Sequence, residues 1–187
     1  MDEYTSLKNN FLIAMPGLVD PNFFRSVTYI CEHNEEGAMG VVVNQPTNMY
    51  LQEILEQINI PIANPLTAKQ IVFTGGPVEE GHLFVIHRPI GPWESSMIVT
   101  NDVAVTTSKD ILEAMAKDEG PEDYLIALGY AGWGPGQLEQ EMAENAWLHV
   151  PASQDILFDT PANKRWTIAA KRMGVDLEQL SDQVGHA

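Results

Sequence analysis

The chain has 187 residues, 44% of them hydrophobic, and carries 10 Lys plus Arg against 26 Asp plus Glu for a formal charge of −16. This length and apolar fraction predict a single folded domain spanning residues 1–187 and exclude a disordered chain, while the charge opposes phosphate neutralisation, so direct nucleic-acid binding is not expected. One cysteine, Cys31, excludes an internal disulfide and a cysteine zinc cluster; an acidic start, MDEYTSLKNN, and the lack of an apolar run near ~18 residues predict a cytoplasmic protein without export signal or membrane span.

Phe11 to Met15 is a short apolar run closed by Pro16-Gly17 and predicts a buried strand. Ser26 to His33 and Ala38 to Asn44 are rich in β-branched residues and flank Asn34-Glu35-Glu36-Gly37, which predicts a hairpin with a four-residue loop. Pro46 should end its second strand. Leu51, Ile54, Leu55 and Ile58 recur at helical spacing, so a helix is expected over Met49 to Ile58. A loop then leads to a strand at Ile71 to Thr74, stopped by Gly75-Gly76-Pro77.

Further strands are expected at Leu83 to His87, Met97 to Thr100 and Tyr124 to Tyr130, with a helix from Ser108 to Lys117. The glycine-rich stretch Ala131 to Gly136 should interrupt the last strand, with Pro135 opening a helix that runs to Asn145. A final helix is expected over Pro161 to Met173, with Thr160 as N-cap and Gly174 beyond its end. It groups Trp166, Ala169, Ala170 and Met173 on one face and Lys164, Arg165, Lys171 and Arg172 on the other.

Three segments stand out together: FLIAMPGLVDPNFFRSVTYICEHNEEGAMGVVVNQP from Phe11 to Pro46, FTGGPV from Phe73 to Val78, and LGYAGWGPGQLEQEMAENAWL from Leu128 to Leu148. Their order and spacing resemble the AlgH-like (YqgE-type) family of bacterial cytosolic proteins, over nearly the whole chain. The resemblance implies an α+β domain with a branched, mostly antiparallel sheet, part of it barrel-like, flanked by helices. It implies a regulatory association but no particular reaction. Where the family pattern carries an arginine ahead of the strand that follows GGPV, this chain reads EEGHLFVIH from Glu79.

Gly132-Trp133-Gly134-Pro135-Gly136-Gln137 lies between a strand and a helix, where free amides and the helix dipole favour anions. Its spacing matches neither the dinucleotide nor the phosphate-loop motif, and Glu139, Glu141 and Glu144 oppose a polyphosphate, so it reads as a structural turn or as a ligand loop presenting Trp133. On the second reading, Trp133→Ala should abolish recognition at less than the cost of a core truncation. Cys31, Glu32 and His33 are the candidate catalytic groups, although residues two apart on a strand are separated by ~6.6–7 Å, too far for a direct thiol–imidazole bond. Arg25 and Ser26 at the strand's start, with Gly75, Gly76, Gly132, Trp133, Gly136, Gln137 and Glu141, make up the expected ligand-binding set. His82 and His87 differ by five positions and no H-E-x-x-H or G-x-S-x-G occurs, so no metal and no serine elbow are assigned. No cofactor is indicated. The favoured function is a non-catalytic binding or regulatory module for a small ligand or a protein partner. The alternatives are an enzyme acting on a small metabolite and a transcriptional regulator working through a protein partner.

Overall fold

The computed structural model describes residues 5–18 and 20–180. The acidic start Met1–Tyr4 lies outside them. In chain order the elements are β1 (Asn10–Ala14), β2 (Val27–Asn34), β3 (Gly37–Val42), β4 (Pro46–Tyr50), α1 (Leu51–Gln57), α2 (Pro65–Ala68), β5 (Ile71–Thr74), β6 (Val78–Arg88), β7 (Ser96–Ile98), β8 (Ala104–Thr106), α3 (Lys109–Ala116), β9 (Asp123–Trp133), α4 (Gln137–Ala143), β10 (Trp147–Pro151), α5 (Gln154–Phe158) and α6 (Arg165–Lys171).

The continuous apolar run in β9 suits a strand covered on both faces, and β9 organises the sheet. Along one edge it pairs antiparallel with β6, from Arg88 opposite Asp123 to Val78 opposite Tyr130. Along the other it pairs in parallel with β5 at Ile126–Leu128 and antiparallel with β3 at Ala131–Trp133. This is the branch point of a ten-stranded sheet in the order β10-β1-β2-β3-β9-β6-β8-β7, with β4 attached through β5. The sheet curls into a half-barrel, so that Met39 on β3 and Met97 on β7 line one groove. The class is α+β, as the resemblance implies.

Between β5 and β6 the chain has only Gly75-Gly76-Pro77 to pass from one edge of β9 to the other. It crosses at Gly129 and Tyr130. A Cβ on Gly75 would stand 2.3 Å from the Gly129 carbonyl oxygen, and one on Gly76 2.2 Å from the Tyr130 carbonyl. The Gly75 amide bonds the Leu128 carbonyl (2.7 Å) and its carbonyl accepts from the Val42 amide (2.8 Å), which stitches β3, β5 and β9 together.

Three apolar clusters hold helices to this sheet. α5 and α6 deliver Ile156, Leu157, Trp166 and Ala169 onto Phe11, Ile13 and Tyr29. The helical spacing of α1 and α3 places Leu51, Leu55, Ile111 and Met115 on Val72, Val85 and Ile126. Leu138 of α4 joins Leu12, Ile30, Trp133 and Trp147. Among the described residues no helix is long and apolar enough to cross a membrane.

Several expectations need correction. Asn34 pairs with Gly37, so the hairpin loop is the two residues Glu35-Glu36, not four. Pro46 does not merely end a strand but opens β4, which among the described residues pairs with β5 alone and so needs no amide on its free edge. Ala131 to Trp133 stay in β9 because β3 extends beside them, and α4 starts at Gln137 behind Gly136 (φ 74°) rather than at Pro135. The final helix is split into a 3-10 turn at Ala162–Lys164 and α6. Thr160 does not cap it; its hydroxyl donates to the Asp155 carbonyl at 3.0 Å. Met173 is exposed while Arg165 is buried, so the basic stripe is broken.

Candidate functional site

The strand β2 does not bring its catalytic candidates together. A bulge between Ile30 and Glu32 interrupts the pairing with β3 and the alternation of side chains. Cys31 therefore stays with Val27 and Tyr29 in the main core, fully buried, its thiol donating to the Tyr29 carbonyl at 3.5 Å. His33 emerges on the other face. Its Nδ1 accepts the Leu7 amide (2.9 Å), which leaves Nε2–H to donate to Glu139 on α4. Glu32 sits half-buried with Lys8 at 3.9 Å and accepts from the His33 amide at 3.2 Å. Glu32 and His33 tie the N-terminal segment and α4 to β2 while Cys31 packs in the core, so the three do not form a nucleophile and its base.

Burial, and then the Glu32 carboxylate, push the Cys31 thiol up to about 12. Thiolate, the reactive form, is absent near neutrality. We expect no alkylation of the native chain by iodoacetamide at pH 8, with full modification after denaturation, as read by mass spectrometry. The same shift makes stability pH-dependent. The unfolded thiol ionises near ~8.5 and the folded one only near 12, so this contribution is present below the unfolded value and is lost as pH rises between the two. Urea midpoints of wild type and Cys31→Ala should converge over that alkaline window.

Arg25, in a left-handed conformation (φ 53°), spreads its guanidinium over Trp166 (4.9 Å) and Phe24 (5.5 Å). Ser26 is fully buried and its hydroxyl has no hydrogen-bond partner among the described residues. Around the glycine-rich loop the Trp133, Gln137 and Glu141 side chains bond one another and the loop backbone. Gln137 Oε1 accepts the Gly134 amide (2.9 Å) and its Nε2 donates to Glu141 Oε2 (3.0 Å). Glu141 Oε1 accepts both indole N–H groups, from Trp133 at 3.1 Å and Trp147 at 3.0 Å. The two indoles pack edge to face with Phe23 between them and the 20–25 loop. Gly75 and Gly76 are at the β9 crossing, and Gly136 is the left-handed residue before α4.

Gly132 and Trp133 line an open cavity. The half-barrel leaves a groove of about 660 Å³ walled by Met39, Val78, Phe84, Met97, Tyr130 and Trp133, with Glu79 at its rim. Met39, Phe84 and Met97 continue into a second hollow of about 330 Å³ whose rim carries Glu94. Phe84 and Tyr130 meet edge to face at 5.6 Å. Arg25, Ser26, Glu32, His33, Gln137 and Glu141 do not line it. Sequence reasoning missed Met39, Phe84 and Met97. A methionine next to a glycine in a strand, as in Ala38-Met39-Gly40, was the available signal.

The AlgH-like family model matches residues 11–178. A UPF0301 protein of Thioalkalivibrio sulfidiphilus is 59% identical over 187 residues, covering all of both chains. One of Nitrosococcus oceani is 52% identical over 96% of each. The solution structure of the AlgH protein from Pseudomonas aeruginosa superposes with a TM-score of 0.80 at 47% identity, over 100% of this chain and 99% of that one. A Corynebacterium diphtheriae protein at 21% identity (TM-score 0.73; 97% of this chain, 94% of that one) shares the fold. By family model, identity and fold together, the chain belongs to the AlgH-like family.

Proposed function

We propose that this protein is a non-catalytic binding and regulatory module that receives apolar side chains of a protein partner in the groove between β3, β6, β7 and β9. The observation that carries this reading is the methionine- and aromatic-lined groove of about 660 Å³, continued by a hollow of about 330 Å³. Small-molecule sites hold a few convergent polar groups that fix orientation. This groove offers instead adaptable thioethers and flat rings, the surface of a protein-recognition site. Glu79 and Glu94 on the rims favour a partner segment whose anchors are flanked by Lys or Arg. An enzyme built on Cys31, Glu32 and His33 loses support because those groups do not converge. Regulation through a protein partner accords with the charge of −16, and the free buried thiol of Cys31 supports a cytoplasmic location.

The test is selection from a random peptide library. Enriched peptides should pair aromatic or long aliphatic anchors with basic flanks, and their binding should shift Trp133 emission. Met97→Glu should weaken them by about tenfold or more with the melting midpoint unchanged. Peptides that bind Met97→Glu as well as wild type would refute the groove as the docking surface.

A further inference from the structure

Arg165 is 6% exposed, yet it meets no carboxylate oxygen within 4.0 Å among the described residues of a chain with 26 acidic side chains. Its neighbours show what the fold does elsewhere. Arg88 bonds Asp123 at 2.7 Å, and Arg172 bonds Asp155 at 2.5 Å. Arg165 instead donates through Nε to the carbonyls of Ile156 (3.0 Å) and Thr160 (3.1 Å) and through Nη1 to that of Val43, with its guanidinium 5.4 Å from the centre of the Phe73 ring. Three carbonyls fix the fork in place, and Nη2 has no acceptor among the described residues. Neutral dipoles offset only part of the cost of burying the charge. Burial accordingly lowers this guanidinium to about 10.

Arg165 forms the wall of a recess of about 310 Å³ between β5, β9 and α5, with Lys69, Ile71, Phe73, Tyr124 and Phe158. We propose that this recess binds an organic monocarboxylate with an aryl or short aliphatic body, its carboxylate on the free edge of Arg165 and its body between the Phe73, Tyr124 and Phe158 rings. The buried guanidinium without a counter-charge, with the exposed Lys69 beside it, calls for an anion, and the free Nη2 edge of Arg165 can donate to a carboxylate. A dianion is disfavoured by Glu122 and Asp123, which line the adjoining hollow that shares Gln70, Tyr124 and Phe158 with this one. The volume is at the small end of ligand cavities, which run from about 300 to 1,000 Å³. This site is separate from the groove, and its test does not depend on the peptide result.

Phenylacetate and hexanoate are titrated into the full chain, with phenylacetamide as the uncharged counterpart, and followed by amide nitrogen–proton correlation spectra. Saturable shifts are expected at Ile71, Phe73, Tyr124 and Phe158, with the amide binding about tenfold or more weakly. Because Arg165 also ties three carbonyls together, its replacement can unfold the chain. Ile71→Glu, at a position 45% exposed, instead places a repelling carboxylate at the mouth. It should weaken phenylacetate by about tenfold at an unchanged melting midpoint. The proposal is overturned if phenylacetamide binds as well as phenylacetate, if Ile71→Glu leaves affinity unchanged, if the shifts fall elsewhere, or if neither acid saturates by about 20 mM.

Discussion

Trp133→Ala will destabilise the chain by about 3–5 kcal/mol, the cost of a large buried aromatic truncated in a packed core. Trp133 is 6% exposed and touches Phe23 and Trp147 at ring-centre distances of 6.2 and 6.1 Å. Removing the indole empties its site beside Leu138 and forfeits two aromatic pairs, each contributing about 0.5–1.5 kcal/mol beyond buried area. It does not strand Glu141, whose carboxylate keeps the Trp147 and Gln137 donors. The loss is a fifth or more of a typical folding free energy of about 5–15 kcal/mol. At roughly 2–4 °C per kcal/mol for a chain of this length, the thermal midpoint should fall by about 6–20 °C. The expectation that this substitution would cost less than a core truncation rested on reading Gly132 to Gln137 as a ligand loop presenting Trp133. Its backbone belongs instead to β9, and only one edge of its side chain reaches the groove. A melting midpoint within a few degrees of wild type would contradict the cluster's role.

What was legible in the sequence was whatever declares itself within one element. Phe11 to Met15, the Ser26 to Asn44 hairpin, and the helices at Leu51–Gln57 and Lys109–Ala116 carry their own periodicity, and they appear within one or two residues of the expected bounds. The α+β class came from the resemblance of three segments, not from periodicity. Ala104–Thr106, Trp147–Pro151 and Gln154–Phe158 escaped because, unlike the equally short Phe11 to Met15 and Ile71 to Thr74, they are not apolar runs closed by a glycine-proline turn. β8 and β10 exist because β6 and β1 offer them edges. His33 could not be placed because one extra residue at the bulge reverses the face on which it emerges. The groove was invisible for a different reason: Met39, Phe84 and Met97 come from three strands that meet only through long-range pairing and sheet curl. Arg165 looked like one member of a solvated basic face, and only the break ahead of α6 turns it inward.

Gly76→Ala will prevent folding or cost at least about 3 kcal/mol, because strain and overlap add. At φ 153° the backbone of Gly76 is in a region that side chains rarely enter, and its added Cβ would lie 2.2 Å from the Tyr130 carbonyl and 2.5 Å from the Ala131 amide nitrogen. Those atoms cannot give way easily, since Tyr130 pairs with Val78 and Ala131 with Gly40. The control is Gly132→Ala, whose Cβ would meet only a Tyr130 ring carbon at 3.5 Å. With no overlap and less chain entropy to lose, it should be neutral or more stable by up to about 1 kcal/mol. It also raises the groove floor, so the selected peptides should bind it less tightly than wild type. Urea unfolding of the two variants thus separates a glycine kept for the crossing of β9 from one kept open for a partner. Equal stabilities would mean that the crossing at Gly129 and Tyr130 can spread, and the close approach could then no longer explain why the FTGGPV segment carries two glycines.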